Sequence, residues 1–498
     1  MIKKYFSVFL SIVLVLLALT ACSSKNGNQS KHTVITQAVT EVIEDQSGFK
    51  LSYTQSDSLN PFQSDTLNNQ VVENLVFESL FVLDESYEPQ PMLATSYSYT
   101  DSKTLSVTIA SGNKFSNGDE LTAQSIVYSF NEAKGSSHWQ NSLKPIASAS
   151  AQSETVIDFK LNYPNPNAHK LLTFAIASTK TDKNGYPIGS GRYKFGEGNG
   201  MVYLELNTKK SDFNPRFTKI PLVNIASEDS IENAINIGNI SYTFRDLSSG
   251  KSVKIQSNKK AVNLNNLVYI GMNCNSGITQ NENIRKAISL AADRDAIVKS
   301  AYQGFAKSAV SVFNSSSAIG KQTAVFSKNA DLSAARQAID LSGVKSEDLK
   351  IDILTNSNPS RLAVARLMKQ QLEAIGFTVT VNKEKNKTYK YKVKNKVFSL
   401  YIGETKIPND MNLNSFFTYG GATSYGINLD SGKTAKAYKG YLNSENEIGS
   451  FVLNFTQEMP FVPLVYRQGM ICYSKSLHGD MQGYVDNYFS NIQDWYYN

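Results

Sequence analysis

The stretch LKIDILTNSNPSRLAVARLMKQQLEAIGFTVTV, residues 349–381, decides the class of fold. Leu349, Ile351 and Ile353 alternate with Lys350 and Asp352, the period of a strand with one face buried. Val364, Met368, Leu372 and Ile375 then recur at helical spacing, which predicts a helix over 360–375. Gly376 stops it, and Phe377–Val381 returns to alternation. A strand, a helix of that length and a second strand form a crossover that lays both strands parallel in one sheet. The class is therefore α/β.

The rest of the chain fits that class, with added hairpins. Leu105–Ile109 alternates behind a turn at Asp101-Ser102, and Asn117-Gly118 marks another turn. Thr122 caps a predicted helix carrying Ala123, Ile126, Val127 and Phe130. Ile284, Ala287, Ile288 and Ala291 mark a further helix; Asp293 caps a short one after it, and Gly304 ends that one. A hydrophobic content of 41% with 19% charged residues is enough to bury real cores. The net charge of +7 is mild over 498 residues and does not point to a nucleic-acid partner. Cys274 and Cys472 are open to two readings, a pair or two buried thiols.

The chain starts MIKK and continues with an apolar run from Tyr5 to Ala21. A positive end, a short apolar core and small residues before a break read as an export signal over 1–21. LTAC, residues 19–22, resembles the bacterial lipobox, which implies that Cys22 becomes the first residue and carries lipid. Residues 22–45 then read as a flexible tether, and the protein as anchored on the outer face of a bacterial membrane.

Motifs of catalysis are missing. The sequence has no H-E-x-x-H, C-x-x-C or G-x-S-x-G, and its four histidines are scattered. No cofactor or metal site is expected. GSGRYKFGEGNG, residues 189–200, lacks the G-x-G-x-x-G spacing and reads as turns between strands. Residues 383–396, KEKNKTYKYKVKNK, hold seven lysines and one glutamate. They read as a solvated edge strand or loop whose lysines block edge pairing, or as a strip that touches anionic polymer or lipid.

Residues 59–130, from LNPFQSD to LTAQSIVYSF, resemble the family 5 extracellular solute-binding proteins, the oligopeptide, dipeptide and nickel receptors of ABC importers. IGSGRY (188–193), YIGMNCN with IRKAISLAADRDAIV (269–298), LMKQQLEAIGFTV (367–379) and MPFVPLVYRQ (459–468) match later blocks of that family in order. The resemblance covers about residues 50–475. It implies a two-lobed binding-protein fold, with lobe I from 46–78, 185–262 and 475–498, an extra subdomain from 79–184, and lobe II from 263–474. It also implies a monomer that binds short peptides between its lobes, delivers them to a membrane permease and performs no chemistry. A metal-chelate, nickel or sugar ligand, or a sensor without a permease, is the alternative.

The family's ligand carboxylate lies in a W-aDypDp segment, and the matching stretch here is YIGETKIPNDMNLNSFF, residues 401–417. Ile407 stands where the first aspartate would be, Asp410 matches the second, and Glu404 replaces the tryptophan region. Asp410, Glu404 and Asn412 are thus ligand candidates, with a loop or cap role the alternative for Asp410. Asn60, before Pro61, is a candidate or a rigid turn. Tyr425 stacks on ligand or fills a lobe face. The family's GEIDIA appears as GNISYTF, residues 238–244, without its aspartate.

Overall fold

The computed structural model describes residues 48–210 and 213–498. The export signal, Cys22 and the tether lie outside these residues. The strand Lys350–Asn356, the helix Pro359–Glu373 and the strand Thr378–Glu384 follow one another, and the two strands pair in parallel, Ile351 against Val379 and Ile353 against Val381. Asn358 caps the helix by accepting from the Arg361 N–H, and Pro359 suits a first turn that needs no donor. Val364, Ala365, Met368 and Leu372 face the core. Gly376 then adopts φ +105°, a conformation closed to residues with a Cβ.

An eleven-stranded sheet runs through the protein. At its centre two long strands, Asn258–Met272 and Phe461–Tyr473, pair antiparallel. One end of this ladder joins Tyr242–Arg245 and, beyond it, Leu51–Tyr53. The other end joins Leu400–Lys406, which pairs in turn with Lys350–Asn356. Two large hydrophobic cores and a small third cluster, which includes Ile231, Ile235, Met470 and Cys472, cover the sheet. The first holds Phe49, Leu51, Val72, Phe130, Phe159, Tyr193 and Trp495, and reaches Val262, Leu264 and Ile471 on the long strands. The second holds Ile288, Ile353, Met368, Ile402 and Phe455, and begins at Leu267 and Tyr466. The ladder loses register between Asn263 and Leu267, at that border. A bulge at a border lets each sheet twist on its own side.

A four-stranded antiparallel sheet, built from Ala94–Asp101, Thr104–Ile109, Ile146–Ala151 and Val156–Leu161, packs into the first core with the helix Ala123–Gly135. Its neighbouring hairpin sends Leu83 and Tyr87 into the second core. The helices Glu282–Ala291 and Arg294–Ala301 form as expected, capped by Asn281 and Asp293.

Residues 383–396 correct one expectation. Only Lys383 and Glu384 belong to the edge strand; Asn386–Lys394 is a helix. The alternation of lysine with Tyr389, Tyr391 and Val393 suggests period two, yet Tyr389 and Val393 are buried four residues apart and Tyr391 faces solvent. Among the described residues the cysteines are Cys274 and Cys472, and both are free thiols.

Candidate ligand-binding site

A cavity of about 670 Å³ lies among elements of the first core. One wall is the helix Leu67–Val76, which buries Val71, Val72, Leu75 and Val76. Its Gln70, Glu73 and Asn74, spaced for one helical face, line the cavity. The Asp57 carboxylate binds the Thr66 N–H at 2.8 Å and the Thr66 hydroxyl at 2.6 Å, which fixes the start of that helix. Burial opposes the ionisation of Asp57, but its hydrogen bonds outweigh that and hold its pKa below the usual value.

Glu73 is 6% exposed. Its Oε2 accepts from Ser64 Oγ at 3.0 Å, and its Oε1 has no partner. Burial pushes its pKa up to about 8; the Ser64 bond opposes this and the charge of Asp57 adds to it. Trp139 also belongs to the lining, and its Nε1 is likewise buried without a partner. Trp139 stands edge-on to His138, with ring centroids 4.2 Å apart. Burial lowers the pKa of His138; Asp486 opposes the shift and Lys406, from the second core's strand, adds to it. Asn74 closes the far wall: its Nδ2 donates to the Asp486 carbonyl at 2.8 Å and its Oδ1 accepts the Tyr488 N–H at 3.0 Å. Both atoms are sealed from the open space, so they are unsatisfied groups within the cavity wall and do not mark a ligand contact by themselves.

None of the five ligand candidates lines this cavity. Asn60 makes the turn beside it: its Oδ1 accepts the Phe62 N–H at 3.0 Å, which sets Pro61 in the wall. Asp410 and Asn412 lie elsewhere, against the segment 163–165. Asp410 is 5% exposed; its Oδ2 accepts from Asn165 Nδ2 at 2.7 Å and its Oδ1 from the Asn412 N–H at 3.1 Å. Burial lifts its pKa to about 6 against those two bonds. Asn412 Nδ2 lies 3.4 Å from the Tyr163 hydroxyl. Glu404 is held through its Oε1 by Arg467 Nη1 at 2.7 Å and Asn266 Nδ2 at 3.3 Å, while Arg361 Nε, buried without a hydrogen-bond partner, stands 3.8 Å from its Oε2. Tyr425 is half-buried against the second core, and Ile407 is fully inside it.

Glu73 and Trp139 escape a search by motif. The signal available was an acid set among the apolar residues of VVENLV, where a helix buries most of its surface. Among the described residues no cluster of His, Cys, Asp and Glu could hold a metal ion, and no helix is long and apolar enough to cross a membrane.

Comparison with known proteins agrees with this architecture. The glutathione-binding protein GsiB of Shigella flexneri serotype 5b is 22% identical over 347 residues, 65% of this chain and 67% of that protein. GsiB of Escherichia coli K12 is 24% identical over 279 residues, 51% of this chain and 54% of that one. The chain thus spans half to two thirds of the length of these relatives. The crystal structure of AppA from Clostridium difficile superposes with a TM-score of 0.71 at 20% identity, covering 91% of this chain and 100% of AppA. The murein tripeptide-binding protein MppA, in its unliganded open form, gives 0.72 at 18% identity over 91% and 98% of the two chains. The fold is that of the two-lobed periplasmic binding proteins. The sequence profile of the bacterial extracellular solute-binding proteins, family 5 (middle), matches residues 88–426, well over half of the chain, and the protein belongs to that family.

Proposed function

We propose that the protein is the extracytoplasmic receptor of an ABC importer, tethered to a membrane by lipid on Cys22, and that it captures short peptides and passes them to a permease without altering them. Its working unit is a monomer. Lobe I takes residues 46–78, 185–262 and 475–498, the subdomain 79–184, and lobe II 263–474.

The observation that carries the reading is the family match over residues 88–426 on a two-lobed fold, in which the space between lobes is the place for a ligand. The cavity described above is lined only by residues of lobe I and the subdomain, so a peptide that closes the lobes must also touch lobe II. A cavity of about 670 Å³ falls in the usual range for small-ligand sites. The names of the similar proteins, which include glutathione and a murein tripeptide, favour the same class. Asp410 and Glu404 serve other ends in this reading: Asp410 holds lobe II to the subdomain through Asn165, and Glu404 neutralises arginines where the long strands pass between lobes.

Native mass spectrometry of the freshly purified protein is expected to find bound peptides, and adding them back to stripped protein is expected to raise its unfolding temperature. A metal chelate or a sugar in their place, or no peptide bound from a broad library, overturns the peptide assignment. The anchor has its own test: Cys22→Ser is expected to abolish lipid labelling, and labelling at the normal level refutes it.

A further inference from the structure

Ligand capture makes no use of the lysine run 383–396. Two buried residues hold its helix, Asn386–Lys394, to lobe II: Val393, and Tyr389, whose hydroxyl donates to the Ile402 carbonyl at 2.7 Å. With Tyr389 and Val393 pointing inward, Lys387, Lys390, Tyr391 and Lys394 fall at positions i, i+3, i+4 and i+7 and form one outward stripe. All four are exposed, Tyr391 by 66%. Lys383, Lys385 and Lys396 flank the stripe in solvent, and Val397 beside them is 56% exposed.

The single acid of the run is engaged. Glu384 pairs with Lys392 at 2.5 Å, and among the described residues no other lysine of the run forms an ion pair. Blocking of the sheet edge accounts for Lys383, at the end of the edge strand, and not for lysines on the helix. A face made only for solubility mixes both signs of charge. This one presents a single sign, with an aromatic and an aliphatic side chain set between the cations. That combination suits the surface of an anionic bilayer: ammonium groups reach the phosphates on long stems, and tyrosine rests at headgroup depth.

We propose that this stripe docks lobe II on anionic phospholipid. The contact is independent of the lipid on Cys22. Where that lipid is present, tethering raises the local concentration, so a weak headgroup contact is enough to orient the protein.

The test uses the mature chain from residue 22 with Cys22→Ser, so that no acyl chain contributes. Flotation is measured with vesicles of phosphatidylcholine alone and with vesicles containing phosphatidylglycerol. The protein is expected to float with the anionic vesicles at low salt, to be released by high salt, and to ignore the neutral ones. K387Q/K390Q/K394Q is expected to lower partitioning about a hundred-fold, at roughly five-fold per lysine. The corresponding arginine triple is expected to retain binding, and Y391S to lose a few-fold. Because these positions are exposed, unfolding midpoints should be unchanged, which separates lost docking from lost folding. Equal flotation of the glutamine triple and the parent overturns the proposal, as does no flotation of the parent on anionic vesicles. Binding of soluble polyphosphate without vesicle binding assigns the stripe to a polymer and also overturns it.

Discussion

Replacing Glu73 with glutamine is expected to change how stability depends on pH. In the folded protein burial lifts the Glu73 pKa from 4.5 to about 8. Below pH 4.5 the carboxyl is protonated in both states, and its contribution is fully present. As pH rises from 4.5 towards 8, the unfolded chain releases a proton that the folded protein keeps, and stability falls by about 1.4 kcal/mol per pH unit. At pH 7 the accumulated loss is about 3 kcal/mol. Glutamine has nearly the same shape, keeps an oxygen for the Ser64 hydroxyl and does not titrate. E73Q should therefore match the parent near pH 4.5 and exceed it by about 3 kcal/mol at pH 7, read from urea unfolding of ligand-stripped proteins across that range. Parallel stability curves between pH 5 and 8 would refute the reasoning, because they would mean that Glu73 is already ionised and paired in the folded state.

Three further outcomes follow from the same physics. Arg467→Met leaves Glu404, only 15% exposed, with the Arg361 contact at 3.8 Å as its remaining ion pair; a loss of about 3 kcal/mol is expected in urea unfolding, and the double variant with Glu404→Gln should lose less than the sum of the two. Asn165→Ala removes the donor 2.7 Å from the Asp410 carboxylate and should cost about 1–3 kcal/mol at neutral pH. Because the folded pKa of Asp410, about 6, lies above its ordinary value, that cost should shrink as acid protonates the group in both states, and a pH-independent cost would contradict the assignment. The denatured, unreduced Cys22→Ser chain should titrate as two free thiols, since Cys274 and Cys472 are unpaired; zero thiols would contradict this.

Local signals were legible in the sequence, and distant ones were not. The crossover at 349–381 could be read because strand period, helix period, cap and stop all lie within one short stretch and agree. The lysine run misleads because its polar residues fall at every second position, while the two that matter, Tyr389 and Val393, are one helical turn apart. Asp410 could be picked out by motif, but its partner Asn165 lies 245 residues away and nothing local announces it. Glu404 stood out as an acid in the right block; only the fold brings Arg467 and Arg361 beside it and takes its charge out of play. Glu73 carried a signal of a weaker kind, a charge inside an apolar helix, whose weight depends on knowing that a cavity opens there.

The passage between the two cores explains how a continuous sheet can serve two lobes. Leu264 closes the first core and Leu267 opens the second; between them stand Asn265 and Asn266, and on the partner strand Arg467 and Gln468 occupy the same border. Apolar residues there would fuse the cores, and any bending would expose hydrophobic area at about 25 cal/mol per Å². Polar residues fix the border by hydrogen bonds instead. Asn265 Nδ2 donates to the carbonyls of Ile407 and Pro408 at 2.9 and 3.1 Å, and Asn314 Nδ2 donates to the Leu264 carbonyl at 3.1 Å and to Asn265 Oδ1 at 3.0 Å. Such bonds can exchange for water at little net change, so bending at the bulge would cost little on the two strands themselves, and Leu83 and Tyr87, which reach into the second core, would have to slide on it. Asn265→Leu is therefore expected to bridge the cores and stiffen the border, reducing the change in radius of gyration on ligand binding measured by small-angle scattering. An unchanged closing amplitude in that variant would place the pivot elsewhere on the two strands.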